Sequence, residues 1–172
     1  HPTVPHILEL QDGRAFADMK SRQPVLRIIW PLYERVYRAA NVIKVISNFL
    51  AHEVELLGET APVHVIPNGV DVEKFSAQVP SEHINALKNT YGKQEGDVFL
   101  FTASRLVLSR GVEDTIRALS DLPSHVKLLV AGSGDDKDKL EDIARESAVS
   151  ERVIFAGHID HAELPALYKM SD

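Results

Sequence analysis

The sequence predicts an α/β protein built from two domains with parallel sheets, and three observations predict it. Short apolar, β-branched runs alternate with stretches of helical period. One run, Leu128-Leu129-Val130-Ala131, has no polar alternation, as a strand covered on both faces requires. The texture changes between Pro67 and Pro80, where Pro67-Asn68-Gly69 is turn chemistry and a polar stretch follows.

The elements follow in order. Strands are expected at 6–10, 42–46, 63–66, 98–102, 126–131 and 152–155. Helices are expected at about 24–40, 47–57, 81–91, 111–121, 136–147 and 161–170. Ser47 is placed to cap the helix that stops before Gly58. Asp160 with Glu163 three residues on has the spacing of a capping box. The punctuation puts the domain boundary near residue 73. The chain starts at His1 and stops at Asp172 just after a helical stretch, so both ends read as cut.

Composition narrows the function classes. The chain has 172 residues and a formal net charge of -6, which argues against a general nucleic-acid binder. It has no cysteine, which excludes disulfides and thiolate metal sites and fits a cytoplasmic protein. No apolar run approaches the ~20 residues that span a bilayer, and no signal-peptide pattern is present. The stretch 14–44 is locally basic, with seven cations against two carboxylates, and it holds Trp30, Tyr33 and Tyr37. A basic, aromatic stretch of this kind can lie on anionic lipid, which makes peripheral membrane contact through 14–44 an expectation beside the ordinary reading of a packed helix.

Three strand-to-helix junctions carry candidate chemistry, because ligands of open parallel sheets bind outside the carboxyl ends of the strands. The first, Thr102 to Gly111, holds Arg105 and Arg110, and guanidinium groups bind phosphate oxygens in a planar, bidentate way. The second, Val130-Ala131-Gly132-Ser133-Gly134-Asp135, offers glycines that permit close backbone approach. The third is Phe155-Ala156-Gly157-His158-Ile159. Each alone has an ordinary reading: solvated arginines, a plain turn, an exposed histidine. The full Gly-x-Gly-x-x-Gly fingerprint is absent, which disfavours a nicotinamide-dependent dehydrogenase. No acidic or histidine cluster has metal-ligand spacing.

The order of the pieces is more specific. Pro67-Asn68-Gly69-Val70-Asp71 with Phe75, then Ser104-Arg105-Leu106-Val107, Arg110-Gly111-Val112, Leu128 to Gly134, and Val153 to His158 together resemble glycosyltransferase family 4. Ala39-Ala40-Asn41-Val42-Ile43 and Ile46-Ser47 resemble the last helix and strand of its acceptor domain, and Leu8 to Gly13 resembles a strand end facing the cleft. The resemblance implies the GT-B fold: two Rossmann-like domains facing a cleft, here both incomplete at the chain ends. Residues 1–73 would be the C-terminal part of the acceptor-side domain, and 74–172 the donor domain without its C-terminal part.

The same resemblance implies a retaining, metal-independent hexosyltransferase without a cofactor. Its donor would be a UDP- or GDP-sugar and its acceptor a glycan or lipid-linked molecule. Arg105 matches the family's diphosphate-binding arginine, and Arg110 stands near the family's second cation. Gly132, Ser133 and Gly134 match a loop passing the nucleotide, and Gly157 and His158 match the wall that receives the base. Gln11 and Asp12 stand where many members carry a cleft histidine and are candidates for the sugar or acceptor side. The resemblance places the family's glutamate-rich motif beyond Asp172, which leaves the activity of the fragment alone open. Two rival readings remain: a nucleotide-binding fragment without activity, and a sugar-nucleotide epimerase of the same fold.

Overall fold

The computed structural model describes residues 4–11, Phe16, Met19, 24–58 and 60–172. The chain divides into two compact units, His1–Val70 and Asp71–Asp172.

The first unit has three parallel strands in the order β1 (Ile7–Leu10), β2 (Val42–Val45), β3 (Val63–Val65). Helix α1 (Pro24–Ala39) joins β1 to β2, and α2 (Asn48–Glu55) joins β2 to β3. Both helices pack on one face of the sheet. Trp30 and Tyr37 of α1 and Leu50 and Val54 of α2 meet Leu8, Leu10, Ile43 and Val45 there. The other face carries the in-register row Glu9, Lys44 and His64, and Ile7 on it is exposed. One-sided cover explains why β1 alternates in sequence while a doubly covered parallel strand does not. Ser47 caps α2 as the sequence predicts, its hydroxyl accepting from the Leu50 amide at 3.3 Å, and Gly58 beyond it has φ +84°.

Of the three aromatics of helix α1, Trp30 and Tyr37 turn inward, as the packed-helix reading predicts, and Tyr33 is 39% exposed. Trp30 and Tyr37 are only 5% and 8% exposed, and their rings pack with Phe16 at 5.4 and 5.6 Å. The outward apolar residues are Val25, Ile28, Leu32 and Val36, with Ile28 80% exposed. Their spacing of three, four and four puts them on one stripe of the helix. The reason is geometric: the aromatic rings have the larger apolar area and take the sheet side, where burial returns most.

The second unit has its own parallel sheet, β4 (Val98–Ala103), β5 (Val126–Ala131), β6 (Val153–Gly157), in that order. It is covered on both faces. Helices α5 (Val112–Ala118) and α6 (Lys137–Glu146) cover one face through Val112, Ile116, Leu140 and Ala144. Helices α4 (Ser81–Thr90) and α7 (Leu164–Met170) cover the other, with Leu167 and Met170 against Phe99 and Leu129. Leu128 to Ala131 is buried throughout, as the unbroken apolar run predicts. A short helix α3 (Val72–Ser76), capped by the Asp71 carboxylate on the Lys74 amide at 2.9 Å, lies in the polar stretch after Gly69, where the sequence predicts no helix.

Two local expectations change. The capping box at Asp160 does not form: Asp160 accepts from the Ala162 amide, the Glu163 carboxylate meets His83 instead, and α7 starts at Leu164. Arg152 belongs to a 3-10 turn rather than to β6, and its guanidinium donates to the carbonyls of Leu119, Leu122 and Pro123. Both changes have one cause, a long polar side chain finding a partner distant in sequence.

Candidate functional site

In the second unit the chain reverses direction beside β4. Strand order runs β4, β5, β6, then α7 returns the chain to the free edge of β4, where the Asp172 amide donates to the Phe99 carbonyl at 3.0 Å. Such a reversal opens a crevice at the carboxyl ends of the strands.

The loops after β4 and β5 close together there. The Ser104 amide donates to Ala131 O and the Leu106 amide to Ser133 O, both at 3.0 Å, so the strand pairing continues past the sheet edge. This closeness is what needs glycine at two positions. A Cβ on Gly132 would stand 1.9 Å from Ser104 O, and one on Gly134 would stand 2.4 Å from Leu106 O. The Gly132 amide donates to Gly157 O at 2.7 Å, which ties in the third loop. Asp136, which the sequence reading passed over, locks the arrangement: its carboxylate accepts from the Leu108 amide at 3.1 Å, and its amide donates to Leu106 O. Hydrogen bonds from Lys139 and then from the Leu108 amide hold the Asp136 carboxyl below the usual carboxylate range. Its signal in the sequence was only an aspartate at a helix start.

Between these loops lies an open pocket of about 280 Å³. Ser104 and Arg105 line it from the first junction, Gly132 and Ser133 from the second, and His158, Ile159 and Leu164 from the third. The structure thus brings Arg105, Gly132, Ser133 and His158 together. Gly134, which stands against the Leu106 backbone, and Gly157, whose carbonyl holds the Gly132 amide, are outside the pocket lining, as is Arg110, exposed in the 3-10 turn Leu108–Arg110. Gly111, expected as the helix start, instead takes the left-handed conformation with φ +77°, and α5 begins at Val112. That helix has only seven residues and carries Glu113 and Asp114 in its first turn, so the positive charge at this junction comes from the arginines.

The arginines differ in how they are used. Arg117 and Arg145 pair with Asp114 and Asp142, and Arg152 holds three carbonyls. Among the described residues, the guanidinium groups of Arg105 and Arg110 have no hydrogen-bond or ion-pair partner. The same holds for the His158 ring. Among the described residues, no three His, Asp or Glu side chains converge to hold a metal ion.

In the first unit, Gln11 stands exposed at the carboxyl end of β1, its amide donating to the Glu9 carboxylate at 2.9 Å. Lys44 and then Gln11 hold the Glu9 carboxyl below its ordinary range. Asp12 lies outside the described residues.

Two sheets of parallel βα units, with a pocket at the strand ends of the second, are the parts of a GT-B fold. The comparisons with known proteins give the family. The model for glycosyl transferases group 1 matches residues 83–172, and that for glycosyltransferase family 4 matches residues 5–74. The chain belongs to the glycosyl transferases group 1 family.

An uncharacterized glycosyltransferase of Methanocaldococcus jannaschii is 32% identical over 81% of this chain and 37% of its own length. A GDP-mannose-dependent phosphatidylinositol monomannoside mannosyltransferase of Mycolicibacterium smegmatis is 30% identical over 80% of this chain and 36% of its own. Among solved structures, Anabaena HepE in complex with UDP-glucose superposes with a TM-score of 0.79 at 22% identity, over 98% of this chain and 45% of that one. The chain therefore spans less than half the length of these relatives.

Proposed function

We propose that the protein transfers a hexose from a nucleoside-diphosphate donor to an acceptor, with retention of configuration and without a metal or other cofactor. Residues 74–172 form the donor side of this reading and 1–73 the acceptor side. The observation that carries it is Arg105, a guanidinium without a partner among the described residues, at the mouth of a pocket walled by Gly132, Ser133 and His158. As the sugar–phosphate bond breaks, negative charge grows on the leaving diphosphate, and a cation already in place stabilises it. Arg105 takes the nearer phosphate and Arg110 assists from the next turn. The base lies toward Gly157 and His158. Gln11 and Asp12 serve the sugar or acceptor.

Calorimetry of the complete protein with uridine and guanosine diphosphates tests this. A hydrogen bond to a charged group contributes about 1.5–3 kcal/mol, so Arg105→Ala should weaken diphosphate binding roughly ten- to a hundredfold. Arg110→Ala should cost less, and nucleoside monophosphate should feel either change less. Unchanged affinity in Arg105→Ala would make that arginine a surface charge and end the reading. Transfer of radiolabel from a sugar nucleotide separates the transferase from the two rivals: a nucleotide-binding protein gives none, and an epimerase alters the sugar without moving it.

The exposed stripe Val25, Ile28, Leu32 and Val36, with Arg27, Arg35 and Arg38 exposed on the same helix, supports a second element of the proposal: α1 rests on an anionic membrane, at the cytoplasmic face. A lipid-linked acceptor fits that placement. The mannosyltransferase relative is named for such a substrate.

A further inference from the structure

The pocket wall is tethered from behind by residues that line no part of it. The loop that carries His158 and Ile159 continues through His161, and α3 lies against it. Lys74 Nζ of α3 stands 2.7 Å from His161 Nδ1. An ammonium has only protons to offer, so the imidazole accepts through Nδ1 and keeps its proton on Nε2. The neighbouring Phe75 ring meets the His161 ring edge-on at 5.9 Å. Phe75 also meets Tyr168 of α7 at 5.9 Å, and Tyr168 meets Phe101 of β4 at 4.8 Å. Lys169 closes the far end of α3 by donating to the carbonyls of Ser76 and Ala77. A line of ring contacts thus runs from the central sheet to the loop, with the Lys74–His161 bond at its end.

We propose that Lys74 and His161 are positioning residues for nucleotide binding: they set the height of the wall formed by His158 and Ile159 without touching the ligand. The inference rests on the proposed donor role of that pocket. Its logic is that a loop tip held by one turn alone samples many conformations, and ordering it on ligand arrival subtracts from affinity. A tether fixed beforehand removes part of that cost. The loop has a second tie, His83 to the Glu163 carboxylate at 2.9 Å, so loss of the first should loosen the wall and leave the fold intact.

The test is calorimetry of uridine and guanosine diphosphates on the complete protein, with the urea midpoint measured for each variant. His161→Ala should weaken the diphosphate that the wild type binds by about three- to tenfold, the range of a single net hydrogen bond. His161→Asn places an amide oxygen close to the position of Nδ1, so it should restore affinity to within about twofold, although it lacks the ring. Lys74→Met should match His161→Ala, and the double variant should be no weaker than either, as two halves of one contact require. Wild-type affinity in His161→Ala, or equal losses in His161→Ala and His161→Asn, overturns the proposal while the donor reading stands. A lowered urea midpoint with unchanged affinity also overturns it, because the contact would then serve the fold alone. Failure of the wild type to bind either diphosphate removes the donor reading, and this inference with it.

Discussion

Gly132 and Gly134 show how a single residue can be dictated by backbone rather than by ligand. Both glycines stand on the loop after β5, and both face carbonyls of the loop after β4. At Gly132 the obstacle is Ser104 O, a backbone atom that cannot rotate away, and φ is +139°. Gly132→Ala should therefore cost about 3 kcal/mol or more, from overpacking and strained backbone together. Gly157, with φ +72° and nothing within 4 Å of an added Cβ, is the control. Gly157→Ala should cost only the left-handed penalty of about 1 kcal/mol. Urea titration of the three proteins checks the order, and equal midpoints for the two variants would contradict the loop geometry. In the sequence, all that could be read was that glycine permits close approach; which backbone approaches is a fact about two segments almost thirty residues apart.

Three aspartates share a residue-scale pattern with a consequence for pH. Asp97, Asp136 and Asp172 all have carboxyls held below their ordinary range, first by hydrogen bonds from Lys127, Lys139 and Lys93, then by backbone amides. A folded-state value below the unfolded one adds stability that is present above the unfolded value and is lost as pH falls through the folded one. The loss should therefore begin near pH ~4 and deepen below it. Asp97→Asn should flatten this acid limb. Chemical denaturation across pH 2–6 measures it, on the order of the unperturbed carboxylate range. An acid limb as steep in Asp97→Asn as in the wild type would assign the loss to other groups.

At the scale of elements, α6 ends on a left-handed residue that is not glycine. Its carboxyl end closes with the Ala148 amide on Arg145 O and the Val149 amide on Ala144 O, which places Ala148 at φ +56°. That position suits glycine. Ala148→Gly should raise stability by about 0.5 kcal/mol, the relief of the left-handed strain less the added freedom of the unfolded chain. The urea midpoint should rise at unchanged slope. The start of α7 shows the opposite case. Asp160 and Glu163 have capping-box spacing, yet Glu163 reaches His83 on α4. Local spacing states what a side chain can do, and a partner brought close by the fold decides what it does.

The whole molecule carries a net charge of -6, yet α1 exposes Arg27, Arg35 and Arg38 as well as an apolar stripe. If α1 rests on lipid, attachment should need both features. Binding of the complete protein to vesicles with anionic lipid should exceed binding to neutral vesicles and fall as salt rises, since the Debye length shrinks from ~10 Å at 0.1 M to ~3 Å at 1 M. Ile28→Glu should weaken attachment, because it removes apolar area and adds repulsion together. Flotation reads all of this. Equal recovery on neutral and anionic vesicles would leave the stripe to some other partner. Among the described residues, no helix is long and apolar enough to cross a membrane.

Strand order, the helices other than α3, the parallel sheets and the family were readable in the amino-acid sequence by itself. The elements and sheets rest on local information, apolar period, β-branched runs and turn residues that act within a few positions, and the family rests on the order of its motifs from Pro67 to His158. Only the tertiary structure decided which way Trp30 and Tyr37 face, that Arg105 shares a pocket with Gly132 and His158 while Arg110 stands outside it, and that Asp136, Lys74 and His161 hold the loops. The physical reason is that a side chain's destination is set by partners distant in sequence. Arg152 is the clearest case: its charge can be read in one dimension, but the three carbonyls that receive it exist as a site only once the chain between Leu119 and Pro123 has turned.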